Sequence, residues 1–252
     1  MTFKVYIPAR LASTRLPGKA LLELDGQTML ERVHAKALQS GALEVVIATD
    51  DRRIADIARG FGATVCMTAV EHQSGTERIA EAVQIRDETD DTIIVNLQGD
   101  EPFMSAAVVR QVAHALDTAP APDIATVCEP IVSEEEWRNP NVVKVVRDDA
   151  GRALYFSRAP VPFPRDGDHE WQTSGPFRRH IGLYAYRVGF LKQFVRWSPA
   201  TLEQLERLEQ LRAMAHGATI VVPDALEACG MGIDTAEDLA RARALLASAR
   251  NP

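Results

Sequence analysis

The chain has 252 residues, a formal net charge of −7, 25% charged and 46% hydrophobic residues. That is a globular composition, long enough to bury a full core. The acidic balance argues against a general nucleic-acid binder, and no stretch approaches the roughly 20 apolar residues of a membrane span. The scattered Cys66, Cys128 and Cys229 form no C-x-x-C pair, which argues against a structural zinc or a disulfide framework. Pro8 and Arg10 interrupt any apolar run near the amino terminus, so the expected compartment is the cytoplasm.

The first predicted element is a strand over Phe3–Ile7, which runs into the loop Pro8–Lys19. Arg10, Arg15 and Lys19 share this loop with Ser13, Thr14, Pro17 and Gly18. Fixed cations, hydroxyls and backbone N–H groups suit an anion with many oxygens, such as a triphosphate. A solvated basic loop is the plainer reading, but loops at the carboxyl ends of strands in an open α/β sheet are where ligands bind. The loop is not a Walker motif, because Ser13 stands five residues before Gly18 and Ala20 follows Lys19. No G-x-G-x-x-G fingerprint is present either.

Further strands are expected at Val45–Thr49, Thr64–Met67, Thr92–Leu97 and Ile124–Glu129. Helices separate them: Leu30, Val33, His34, Ala37 and Leu38 form one apolar stripe between a Thr28 cap and a Gly41 stop. Val108, Val109, Val112 and Leu116 form another after Ser105. Between the third and fourth strands, His72–Arg78 contains Ser74 and Glu77 at capping-box spacing, and its polar groups also suit a base or ribose. Such alternation predicts a mostly parallel sheet with helices on both faces. The second half predicts a smaller mixed lobe. It has strands over Asn141–Val146 and Arg152–Phe156 joined by the turn Asp148–Gly151, then an irregular proline-rich connection from Pro160 to Pro176. A strand over His180–Tyr186 follows, then a helix carrying Leu202, Leu205, Leu208 and Leu211 on one side, and a last helix from Thr235 to about Ala249.

Two acidic motifs stand out. Gly99 in Gln98-Gly99-Asp100-Glu101-Pro102 permits close backbone approach, and Asp100 can hold a hard cation. In Gly232-Ile233-Asp234-Thr235-Ala236-Glu237-Asp238, either Asp234 or Thr235 can cap the last helix, or Asp234 can be a second metal carboxylate. Arg158, His180 and Tyr184 lie in strand-like context. An arginine and a histidine converging there would suit a substrate carboxylate.

In order along the chain, IPARLASTRLPGK, HQSGTER, VNLQGDEP, NPNVVKVV, ALYFSR, RHIGLYAYR, LEQLR and GIDTAEDL resemble the 3-deoxy-manno-octulosonate cytidylyltransferases. The likeness runs from about Phe3 to Leu239. It implies a Rossmann-like nucleotidyltransferase fold in one domain over 1–252, with 1–130 mainly binding CTP and 131–252 mainly binding sugar and dimerising. It also implies Mg²⁺ as cofactor, CTP and the acid sugar Kdo as substrates, and a homodimer. Carried over by motif, Arg10, Ser13, Thr14, Arg15, Lys19, Ser74, Gly75 and Arg78 resemble CTP contacts. Gln98, Arg158, His180, Tyr184, Glu209 and Gln210 resemble sugar contacts, and Asp100 and Asp234 resemble the metal ligands. Lys19, Arg10, Asp100 and Asp234 would carry catalysis. Residue types do not decide between Kdo and another acid sugar such as an amino-Kdo or a neuraminate, and a catalytically silent nucleotide binder is the reading from another class. Ala236 departs from the D-T-P-E-D form of the last motif.

Overall fold

The strand–helix alternation of the first half folds into parallel strands whose side chains feed two separate cores. The computed structural model describes residues 1–12, 15–119, 122–166, 171 and 175–250. Its strands are β1 (Phe3–Ala9), the hairpin β2 (Glu23–Leu24) and β3 (Gln27–Thr28), β4 (Glu44–Thr49), β5 (Thr64–Met67), β6 (Ile93–Asn96), β7 (Ile124–Pro130), β8 (Lys144–Arg147), β9 (Ala153–Ser157), β10 (Arg178–Arg187) and β11 (Ile220–Val221). The helices are α1 (Met29–Gln39), α2 (Arg52–Gly60), α3 (Gly75–Ile85), α4 (Ala106–Thr118), α5 (Glu134–Arg138), α6 (Val188–Phe194), α7 (Thr201–Glu206), α8 (Gln210–Ala215) and α9 (Ala236–Arg250).

The main sheet runs β11-β7-β10-β6-β1-β4-β5, with β8 and β9 hydrogen-bonded off β10. Along that path β10 pairs antiparallel with both β6 and β7, and the other pairings are parallel. Side chains alternate across β1. Phe3, Val5, Ile7 and Ala9 pack with Leu30 and Val33 of α1 and Val108 and Val112 of α4. Tyr6 enters the opposite core with Ile79 and Val83 of α3, Leu191 of α6 and Leu211 of α8. The period of two along the strand thus meets helical stripes on both faces.

Local capping chemistry sets the helix starts. Thr28 Oγ1 accepts from Glu31 N at 3.1 Å, Ser105 Oγ from Ala107 N at 3.1 Å, and Ser74 Oγ from Glu77 N at 3.2 Å. Each such cap contributes about 1 kcal/mol.

Two expectations are corrected. The strand expected from Asn141 begins at Lys144, because Asn139 and Pro140 make a turn in which Asn139 Oδ1 accepts from Asn141 N at 2.9 Å. The single helix expected through Leu202–Leu211 is two helices, α7 and α8, separated at Arg207 in the left-handed region (φ 54, ψ 47). Leucines spaced strictly by three precess about 60° per step on a helix of 3.6 residues per turn, so they cannot share one face. Leu208 and Leu211 are buried, whereas Leu205 is 75% exposed.

The glutamates beside those leucines clamp the short helices. Glu203 takes two hydrogen bonds from the Arg212 guanidinium at 2.9 and 2.6 Å. Glu206 accepts from Ser157 Oγ at 2.7 Å and Arg158 N at 2.9 Å. Lys144, with no exposed surface, is satisfied by the carbonyls of Asn139, Val142 and Arg158 at 2.5–2.9 Å. That ammonium ties the loop before β8 to the end of β9.

Candidate active site

Parallel strands β1, β4 and β6 deliver their following loops to one edge of the sheet, and the start of α3 meets them there. The result is a cavity of about 290 Å³. Among the predicted residues, Arg10, Arg15 and Lys19 line it from the first loop, Ser74, Gly75 and Arg78 from α3, and Gln98 and Asp100 from the end of β6. Ser13 and Thr14 lie outside the described residues. His72 and Gln73, in the segment whose polar groups suit a base or ribose, also line the cavity. Backbones approach closely here: a Cβ on Gly75 would stand 2.9 Å from Pro8 Cγ, and one on Gly99 would stand 3.1 Å from the Pro8 carbonyl oxygen. Glycine at both positions lets the loop, α3 and the β6 turn meet.

The two aspartates converge although 134 positions separate them. Lys19 Nζ bonds the Asp100 carboxylate and lies 3.0 Å from Asp234 Oδ1, while the Arg15 guanidinium stands 3.1 Å from Asp234 Oδ2. Lys19 keeps its proton more firmly than a free lysine: burial opposes the charge, but Asp100 and Asp234 outweigh it. Asp234 is not the helix cap. Thr235 holds that position, with its Oγ1 accepting from Asp238 N at 3.1 Å and Asp238 Oδ2 accepting from Thr235 N at 2.9 Å. The Asp234 carboxylate is thereby left to the cations. Two carboxylates already sharing one cation form a hard, all-oxygen donor pair of the kind Mg²⁺ takes alongside water and phosphate. They are a pair and not a cage: among the described residues no group of three or more His, Cys, Asp or Glu is arranged for a metal.

Arg78 is 3% exposed yet lines this cavity. Its guanidinium donates to Thr68 Oγ1 at 2.6 Å and to the Ala69 carbonyl at 3.2 Å, and it lies 3.3 Å from Asp50 Oδ2. It is a preset donor at the end of β4 and β5, held before any ligand arrives. Gln98 Nε2 donates to Asn96 Oδ1 at 2.9 Å. Gln98, expected as a sugar contact, lies in the wall of this first cavity.

Across the Asp100–Glu101 peptide lies a second cavity of about 720 Å³. His180, Tyr184 and Gln210 line it, with Glu101, Arg179 and the Gly230–Gly232 segment. The expected convergence of Arg158 and His180 on one carboxylate is not what the structure shows. Arg158 lines neither cavity; its guanidinium donates to the Glu206 carbonyl at 2.7 Å and the Pro140 carbonyl at 3.0 Å. Burial pushes His180 down to about 3, so the ring is neutral, set against Thr126 Oγ1 at 3.0 Å and edge-on to Phe156. Arg179 is the arginine that reaches the cavity, with Nε donating to Glu129 Oε2 at 2.9 Å; it adjoins His180 in the quoted motif but gave no signal of its own. Glu101 is pushed up to about 8, first by burial and then by the charges of Asp100 and Asp234. Glu209 stands behind the wall, accepting from Ser74 Oγ at 3.1 Å and Thr76 Oγ1 at 2.8 Å, with its carboxyl raised by burial.

The cytidylyltransferase family profile matches residues 5–220. The 3-deoxy-manno-octulosonate cytidylyltransferase of Thioalkalivibrio sulfidiphilus is 54% identical over 248 residues, covering 98% of this chain and 99% of the relative. That of Haemophilus ducreyi is 53% identical over 250 residues, covering 98% of each. A solved structure of CMP:2-keto-3-deoxy-manno-octonic acid synthetase complexed with CTP matches with TM-score 0.90 at 39% identity, over 99% of this chain and 100% of that one. A cytidylyltransferase from Leptospira borgpetersenii shares the fold at TM-score 0.64 and 18% identity, over 98% of this chain and 87% of that one. The chain belongs to the 3-deoxy-manno-octulosonate cytidylyltransferase family, whose members are nucleotidyltransferase enzymes.

Proposed function

We propose that the protein transfers CMP from CTP to 3-deoxy-D-manno-octulosonate (Kdo), giving CMP-Kdo and pyrophosphate. The observation that carries this reading is the meeting of Lys19, Asp100 and Asp234 between the polyphosphate-type loop and the second cavity. An anionic nucleotide and an acid sugar are thereby given adjoining sites with cations and carboxylates between them. The names of the full-length relatives support the same substrates.

In this reading the anomeric hydroxyl of Kdo forms the new bond to the α-phosphorus of CTP, its proton passing to solvent, and the bond to pyrophosphate breaks. Arg10, Arg15 and Lys19 hold the phosphates and take up charge that grows on the leaving pyrophosphate. Lys19 exchanges one carboxylate partner for phosphate as it does so. Ser74, Gly75 and Arg78 face the nucleoside; His180, Tyr184 and Gln210 face the sugar, with Arg158 and Glu209 supporting that wall from behind. Asp100 and Asp234 would hold Mg²⁺, which when bound supplies neutralisation of phosphate charge. Positioning and charge stabilisation are the whole of the protein's contribution, and no covalent intermediate is required. The cellular setting that goes with this chemistry is lipopolysaccharide biosynthesis in the cytoplasm, and among the described residues no helix is long and apolar enough to cross a membrane.

The test is pyrophosphate release from the four nucleoside triphosphates against a panel of acid sugars, with and without Mg²⁺. Release with CTP and Kdo, dependent on the metal, is the expected result. No release, or equal release with a neuraminate, overturns the assignment. We also assign a homodimer, to be checked by light scattering.

A further inference from the structure

The first turn of α3 lines the first cavity and is bonded, through Thr76, to the residue that precedes α8. Ser74 and Gly75 line the nucleotide side, whereas Thr76, 7% exposed, is absent from that lining. The Thr76 hydroxyl instead donates to Glu209 Oε2 at 2.8 Å, a contact spanning 133 residues of sequence. Glu209 immediately precedes α8. The first residue of α8, Gln210, is 5% exposed and lines the second cavity, and its amide Nε2 is buried with no hydrogen-bond partner among the described residues. A buried, unpartnered donor beside a polar cavity calls for an acceptor from a ligand.

What aims that amide is the segment Arg207–Glu209, which lies between two short helices and begins with a left-handed residue. Buried Leu208 and Leu211 and the Arg212–Glu203 pair anchor α8, and the Glu209 carboxylate, held by Thr76 and by Ser74, is the tie at its first turn. We propose that Thr76 is a positioning residue for the acid-sugar pocket: by holding the Glu209 carboxylate it fixes the start of α8 and directs the Gln210 amide at the sugar. This rests on the proposed function and deepens it. The helix start that receives the nucleotide also sets the geometry of the sugar wall. A purely structural Thr76 would only satisfy a buried carboxylate, and its loss would lower stability without favouring one substrate over the other.

Thr76→Val keeps the side-chain shape and removes the donor, while Thr76→Ser keeps the donor. A hydrogen bond to a charged group is worth enough that Thr76→Val should raise the KM for Kdo about tenfold. The KM for CTP should stay near the parental value, and Thr76→Ser should restore the KM for Kdo. Unchanged KM for Kdo in folded Thr76→Val, or an equal rise for both substrates, overturns the proposal. Thr76→Ala gives the same two readouts if the valine variant does not fold. Turnover by the parent reports on the function, and the ratio of the two KM values reports on the positioning, so each can fail separately.

Discussion

The two cavities flank one peptide bond, Asp100–Glu101, yet they are built in opposite ways. The first cavity is lined by short contiguous stretches at strand ends and carries its ions in partial contact with water: the Lys19 and Asp100 side chains are 20% and 25% exposed. The second cavity draws on segments scattered from Glu101 to Arg241, and burial pushes His180, Glu101 and Tyr184 among its lining groups toward neutrality. His180 falls to about 3, Glu101 rises to about 8, and the Tyr184 hydroxyl is raised well above its ordinary value. Ions stand where water still screens them, and desolvation holds these three groups neutral where charge is costly. In the proposed function that difference suits a triphosphate on one side and a polyhydroxylated sugar on the other.

The largest effects should come from the charged side. Asp100→Asn, Asp234→Asn and Lys19→Ala should each lower turnover by about 10²–10³-fold, the cost of removing one preorganised charge contact. Because Thr235 caps α9, Asp234→Asn should leave urea stability unchanged while pyrophosphate release collapses. An active Asp234→Asn enzyme would erase the contrast between the cavities.

A smaller effect should appear on the second side as stability. Glu203→Ala strands Arg212, 8% exposed, without its carboxylate. It should cost about 3 kcal/mol in urea unfolding and leave CTP binding in place. Equal loss of CTP binding would mean the two regions are not separable.

The next effect is one of pH. His180 in the folded protein has a pKa far below its ordinary 6.5. As pH falls below that ordinary value the unfolded chain takes up a proton that the folded protein refuses, and stability drops until the folded pKa near 3 is reached. His180→Gln cannot titrate, so between pH 6.5 and 5 it should lose about 1.4 kcal/mol per pH unit of that slope. Parallel curves for parent and variant would show that the ring is not held neutral. The smallest change is expected at Leu205, 75% exposed on α7. Leu205→Lys should alter monomer stability by no more than about 0.5 kcal/mol, and light scattering would show whether it breaks the proposed homodimer.

The legible part of the fold was the local part. Alternation in Phe3–Ala9, the stripe through Leu30, Val33 and Ala37, and the caps Thr28, Ser74 and Ser105 are each decided by interactions within about ten residues, through side-chain period and backbone N–H satisfaction. The loops that line the nucleotide-side cavity were legible for the same reason, since strand ends in a parallel sheet share one edge. The boundary at Lys144, the break at Arg207 and the choice of Thr235 over Asp234 as cap were not. In each case the residue types allowed two local options and a neighbour decided: the Asn139 turn, the packing of Leu208 and Leu211, and the pull of Lys19 on Asp234. The direction of Arg158 toward carbonyls and the tie from Thr76 to Glu209 were beyond any pattern of residue types. By itself the sequence determined which elements form and which chemistry each loop offers. Only the tertiary structure decided which side chains from remote segments share a cavity and which are held neutral, because burial and contact across more than a hundred residues follow from packing and not from spacing.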